Sequence, residues 1–162
     1  MGLDMYLEAR KEVYVGTCLD DSNGQIKCEL PPELKMFEDV WHKSITHKED
    51  YTIGYWRKAN HIHKWFVDNC GDGVDECQDM YVSKEKLEEL LKLCNEVLAE
   101  HGDAENKLPT QDGFFFGGTE YDEYYFDDVK YTKEVCEKAI QFLDEREKAK
   151  DYLWSIHYQA SW

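Results

Sequence analysis

YTIGYWRKANHIHKWFVDN, residues 51–69, is the stretch on which the reading of this chain turns, because here an acidic protein reverses its charge. Between Trp41 and Lys64 stand five basic residues (Lys43, Lys48, Arg57, Lys58, Lys64) against Glu49 and Asp50, a formal charge of +3. The whole chain carries −16, so everything outside this window carries −19. Four of the six histidines, His42, His47, His61 and His63, lie in the same window. From Arg57 onward the spacing predicts a helix, with Ala59, Ile62 and Phe66 on one face at steps of three and four. Arg57, His61, Lys64 and Asp68 then share another face. Tyr55, Trp56 and Trp65 flank that cationic stripe, which suits it to hold an anion or to stack on a nucleobase. The competing reading is a solvated face with Trp56 and Trp65 in the core.

Toward the N-terminus, residues 3–15, LDMYLEARKEVYV, predict two short strands. Met5 and Leu7 alternate with Tyr6 and Glu8, and Val13 and Val15 follow a charged break. Asp20, Asp21, Ser22, Asn23 and Gly24 predict a turn. Residues 26–30 predict a strand ending at Pro31 and Pro32. That pair opens an expected helix over 33–43, where Leu34, Phe37, Val40 and Trp41 keep helical spacing.

Toward the C-terminus, residues 70–79 form an acidic loop around Gly71 and Gly73, and residues 80–82 a short strand. Ser83 predicts the cap of a helix over 84–100, with Leu87, Leu90, Leu91, Cys94, Val97 and Leu98 as its apolar stripe and Gly102 as its stop. Residues 102–113 read as a polar connection, and Phe114, Phe115 and Phe116 as a short buried strand or turn. Thr132 is the expected cap of a second long helix reaching about Lys148, with Val135, Cys136, Ala139, Ile140, Phe142 and Leu143 on one face. Residues 152–158 predict a last strand. No repeat or low-complexity linker divides the chain. The expectation is one globular domain, 1–162, of the α+β class: a short, mostly antiparallel sheet packed with about three helices.

Composition narrows the function. The chain has 162 residues, 33% charged and 14% aromatic, enough to bury roughly two-thirds of its unfolded surface. That aromatic load argues for a packed core over disorder. A net −16 repels nucleic acid and anionic membranes over most of the surface. Two partner classes remain attractive: a basic protein surface, and a small ligand in a local basic pocket. Assembly into a homo-oligomer stays open. No charged and apolar leader opens the chain, and no window approaches the roughly 18 apolar residues of a membrane span. The six cysteines, Cys18, Cys28, Cys70, Cys77, Cys94 and Cys136, are accordingly expected as reduced thiols in a cytoplasmic protein, with Cys94 and Cys136 buried on helix faces.

The second informative stretch is residues 108–129, LPTQDGFFFGGTEYDEYYFDDV. Gly117, Gly118 and Thr119 free backbone N–H groups and add a hydroxyl, a turn able to form an anion-binding concavity. It is no Walker loop, and GxGxxG occurs nowhere, so no cofactor is expected. Tyr121, Tyr124 and Tyr125, with Glu120, Asp122 and Glu123, read as a stacking pocket wall or as an aromatic core edge. His61, His63, Cys70 and Cys77 are chemically possible zinc ligands, but without C-x-x-C, and with His61 and His63 two apart on a helix, no metal is expected. The acidic loop lacks the order of an EF-hand. His61 beside Arg57 offers a general base, and Glu120 or Asp122 an acid, yet no catalytic signature accompanies them and catalysis is the weaker expectation.

GLDMYL at 2–7, GYWRKANHIHKWFV at 54–67, LPTQDGFFFGGTEYDEYYF at 108–126 and the terminal YQASW resemble a family of small proteins from tailed bacteriophages and prophages. The resemblance covers most of the chain and is weakest over residues 22–49. It implies a phage setting inside a bacterial host cell and brings no catalytic assignment. Small accessory phage proteins frequently act against host defences, by blocking a defence protein or by sequestering its nucleotide signal.

The leading expectation is therefore a non-enzymatic accessory protein that binds a small anionic, nucleotide-type ligand. Arg57, Lys58 and Lys64 meet its charge, and Asn60 and His61 give directional hydrogen bonds. Trp56 or Tyr121 stacks, Tyr55 flanks, and the turn from Gly117 through Gly118 and Thr119 to Glu120 closes the site. The alternative is an acidic mimic of nucleic acid that blocks a host defence protein. A small nucleotide hydrolase is third.

Overall fold

A computed structural model describes residues 2–15, 31–39 and 45–162. Its first strand, β1 (Asp4–Val15), shows how the core is chosen. Leu3, Met5, Leu7 and Ala9 are buried while Asp4, Tyr6 and Glu8 are half-buried, the period of two that puts one face of a strand against the core. One strand of 12 residues replaces the two short ones expected there. The charged residues at its centre do not break it, and Arg10 is buried there with its guanidinium donating to Asp50 and Asp79.

The second strand, β2 (Ile45–Arg57), carries the opening stretch of the sequence up to Arg57. The helix expected to start at Arg57 starts three residues later, as α1 (Asn60–Cys70). Tyr51, Thr52, Ile53, Tyr55 and Trp56 are β-branched or aromatic, and that preference decides the local structure ahead of helical spacing. After the acidic loop come β3 (Met80–Val82) and α2 (Lys84–Ala99), both where expected. The Ser83 hydroxyl accepts from the Lys86 N–H at 3.3 Å and caps α2. The expected polar connection contains a turn of 3₁₀ helix (His101–Asp103) and a single helical turn, α3 (Ala104–Lys107), anchored by buried Ala104 and Leu108.

The last helix, α4 (Glu123–Lys148), has 26 residues and begins well before Thr132. Its cap is Asp122, whose Oδ1 accepts from the Tyr125 N–H at 3.1 Å. Thr132 lies buried inside the helix. Its hydroxyl donates to the Asp128 carbonyl at 2.7 Å and accepts from the Trp56 indole N–H at 2.9 Å. The chain ends in β4 (Trp154–Ser161).

The four strands form an antiparallel sheet in the order β2-β1-β4-β3, so the chain has the α+β architecture expected of it. Met80 pairs with Tyr158 and Val82 with Ile156. The contacts group into two compact units, Met1–Arg10 with Asp50–Trp162, and Lys11–Glu49. In the first, α2 packs along α4, and Leu87, Leu90, Cys94 and Val97 are buried with Val129, Val135, Cys136 and Ala139. Phe66 of α1 stacks on Tyr158 of β4 at 4.1 Å and 13°, a pair contributing about 1 kcal/mol beyond its buried area. No helix among the described residues is long and apolar enough to cross a membrane.

In the second unit a 3₁₀ helix (Pro32–Phe37) stands where a longer helix to residue 43 was expected. Leu34 and Phe37 are exposed, and the expected continuation of that face through Val40 and Trp41 falls outside the described residues. The expected turn over 20–24 and strand over 26–30 fall outside the described residues, as do Cys18 and Cys28.

Candidate functional site

The corner between β2 and α1 is made by Lys58, a non-glycine residue at φ 64°. Side chains with a Cβ pay about 1 kcal/mol or more for that left-handed conformation. Lys58 N–H donates to the Leu3 carbonyl at 2.8 Å, and Leu3 N–H donates to the Phe115 carbonyl at 3.1 Å. The start of β1 thus bridges the corner to the phenylalanine turn. Asn60, first residue of α1 and 1% exposed, makes the same connection through its side chain. Its amide donates to the carbonyls of Phe116 (3.1 Å) and Gly118 (2.7 Å), and its Oδ1 accepts from the Gln111 N–H (2.9 Å).

Gly117 meets this corner from the other side. Its φ is +91°, and a Cβ there would sit 3.0 Å from the Lys58 Cβ, so position 117 needs glycine for both its conformation and its space. Thr110 donates its hydroxyl to the Thr119 carbonyl at 3.1 Å and its N–H to the Tyr121 hydroxyl at 3.2 Å. Tyr125 donates its hydroxyl to the Leu108 carbonyl at 2.9 Å. Three segments far apart in sequence are held together by these bonds.

Between them opens a cleft of ≈ 440 Å³. It is lined by Arg57, Lys58 and His61 from the corner, by Gly117, Gly118 and Glu120 at the rim, and by Asp122, Tyr124, Tyr125, Asp127 and Asp128 from the cap and first two turns of α4. Among the described residues no carboxylate pairs with Arg57 or Lys58. Asp127 pairs with Lys130 at 3.0 Å. Two cations facing four carboxylates leave the cleft two charges negative, with the positive charge gathered at one end.

Two groups in it are chemically unusual. His61 is 3% exposed, its ring lies 4.1 Å from that of Tyr125, and its buried Nε2 has no hydrogen-bond partner among the described residues. Burial lowers its pKa to about 3, so the ring is neutral at any ordinary pH. Asp128 shows the opposite shift. Burial first, then the neighbouring charges of Asp127 and Asp122, push its carboxyl up to about 6.

Of the residues expected from the sequence, Arg57, Lys58, Asn60, His61, Gly117, Gly118 and Glu120 line this cleft. The Asn60 side chain is committed to holding the loop. Tyr55 points elsewhere, donating its hydroxyl to Asp4 at 2.5 Å and lying 5.3 Å from Tyr6. Trp56 is in the core and has no face free for stacking. Lys64 forms an i,i+4 pair with Asp68 at 2.6 Å, away from the cleft, because α1 starts after Arg57 and turns the stripe. Thr119 contributes its carbonyl to Thr110, and Tyr121 lies edge-on to Tyr125 at 4.9 Å behind the rim.

Thr110, Asp127 and Asp128 were not foreseen. Asp127 and Asp128 follow Tyr124 at helical steps of three and four, a signal that would have been legible had α4 been started at Asp122.

His61 and His63 face different surroundings. The His63 ring, fully buried, meets the Tyr158 hydroxyl at 2.7 Å and Asp75 at 3.0 Å, and Asp75 also accepts from the Trp162 indole N–H at 3.3 Å. Among the described residues no group of three side chains is arranged to hold a metal ion. Comparison with family models, with curated proteins and with solved structures finds no match.

Proposed function

We propose that this protein is a non-enzymatic binder of a small anionic ligand of the nucleotide type. The observation that carries the reading is the convergence around one cleft of Arg57 and Lys58, which pair with no carboxylate among the described residues, with Gly117, Gly118 and the start of α4. In this reading the phosphate meets Arg57 and Lys58. The sugar and base lie along α4, with the 80% exposed ring of Tyr124 as the stacking surface. Binding is favoured over hydrolysis because His61, whose pKa is about 3, is a poor base near neutrality. The Thr110 hydroxyl, which also lines the cleft, is already donating to the Thr119 carbonyl. A role as a phage accessory protein that withholds a nucleotide signal from a host defence extends this reading and rests on the four resembling motifs. Isothermal titration against mono-, di- and cyclic nucleotides tests it. The expected result is micromolar or tighter binding to at least one, lost in Arg57→Ala, with the nucleotide recovered intact by chromatography. Absence of heat from every member of the panel removes the reading.

A second reading, an acidic decoy for a protein that binds nucleic acid, is favoured by the net charge and by the exposed acids along α2, among them Glu85, Glu88 and Glu89. It predicts partner binding that weakens steeply with salt and is indifferent to Arg57→Ala.

A further inference from the structure

We infer that the cleft selects its ligand by the hydrogen-bond donors the ligand carries, taking nucleotides with an amine-bearing base in preference to their keto counterparts. This rests on the nucleotide reading above and adds to it the class of base.

The inventory of groups still free in the cleft leads there. Most of the neutral donors are engaged: Asn60 with Phe116 and Gly118, Thr110 with Thr119, Tyr125 with Leu108. Arg57 and Lys58 remain at one end for the phosphate. Along the α4 wall the remaining groups are mostly acceptors. Asp122 caps its helix and Asp127 pairs with Lys130, which leaves Glu120 at the rim and half-buried Asp128. A carboxylate accepts and cannot donate. When a ligand covers Asp128 and displaces its water, that carboxylate loses hydration and must be given a donor in return. An exocyclic amine supplies one, whereas a keto oxygen at the same position sets acceptor against acceptor. The Nε2 of His61, beside Tyr125, is a further buried polar atom at the same cleft left without a partner among the described residues.

The experiment is a titration of the intact protein with two matched pairs, adenosine against inosine 5′-monophosphate and cytidine against uridine 5′-monophosphate. The expected result is at least tenfold tighter binding of the amine member in whichever pair binds. Asp128→Asn, whose amide can donate as well as accept, is expected to bring that ratio below threefold, the keto member gaining relative to the amine member. Equal affinity within a pair, to within threefold, overturns the inference and leaves nucleotide binding standing. A ratio unchanged in Asp128→Asn overturns the assignment to this carboxylate. Failure of all four to bind overturns the inference, and the nucleotide reading falls with it only when the di- and cyclic nucleotides of the wider panel also give no heat.

Discussion

Asn60→Ala is the substitution that most directly tests how the cleft is assembled. The side chain makes three hydrogen bonds, at 2.7, 2.9 and 3.1 Å, to segments 51 to 58 residues away in sequence. Each contributes about 1 kcal/mol net, and their loss strands two carbonyls and one N–H near the buried corner, so the expected cost is about 3 kcal/mol. With a urea slope of about 2 kcal/mol per molar, the unfolding midpoint falls by about 1.5 M. Buried Trp56 and Trp65 provide the fluorescence signal for that measurement. Asn60→Asp separates hydrogen bonding from size. It keeps the acceptor for Gln111 but sets a second carboxylate oxygen against the Phe116 and Gly118 carbonyls, so at pH 7 it is expected to be at least as destabilised as the alanine variant. The carbonyls favour the protonated acid, raising its folded pKa above the unfolded one, so stability should return as the pH falls toward 5. A loss below 1 kcal/mol in Asn60→Ala, or no recovery of Asn60→Asp with acid, refutes the claim that this side chain holds the loop.

Three other outcomes are expected. The carboxyl of Asp128 is raised to about 6 in the folded chain, so it destabilises the fold above pH 6, and the penalty fades as the pH falls toward the unfolded value near 4. Asp128→Asn should therefore gain about 1 kcal/mol in urea unfolding at pH 7.5, after allowance for partial solvent screening, and nothing at pH 4. Gly117→Ala is expected to cost about 2 kcal/mol, from both the left-handed φ and the crowding by Lys58, while Gly73→Ala, with φ +74° and open space around it, pays only the backbone part of about 1 kcal/mol. Equal thermal shifts for the two would show that the crowding is relieved. Burial pushes the Cys94 thiol up to about 12 and that of Cys136 higher still, so a thiol reagent followed by peptide mass mapping should label neither until the protein is unfolded.

What the sequence discloses about this fold follows the range of the interactions involved. The leucine stripe and serine cap of α2 are local signals, and so are the two apolar residues flanking Tyr81 in β3. The start of α4 was misread because Glu123, Tyr124, Tyr125 and Phe126 look like a polar, aromatic loop, and their helical state is set by Asp122 capping and by burial of Tyr125. The strand β2 was missed in part because Arg57, Lys58 and the histidines invite a helical count that the corner at Lys58 interrupts. In the site, the residue types suited to anion binding were visible, whereas the commitment of Asn60 and the carboxylate wall were not. The first depends on partners 51 to 58 residues away, which no spacing within one segment encodes, and the second lies within α4 and was lost with its start.

The left-handed corner at position 58 also bears on how this sequence is free to drift. Glycine or asparagine would occupy that backbone more comfortably than lysine, so substitution toward either is the downhill path for conformational strain alone. Lineages in which the pocket has fallen out of use should take that path. A basic residue retained there across divergent copies would mark selection acting against the backbone's own preference.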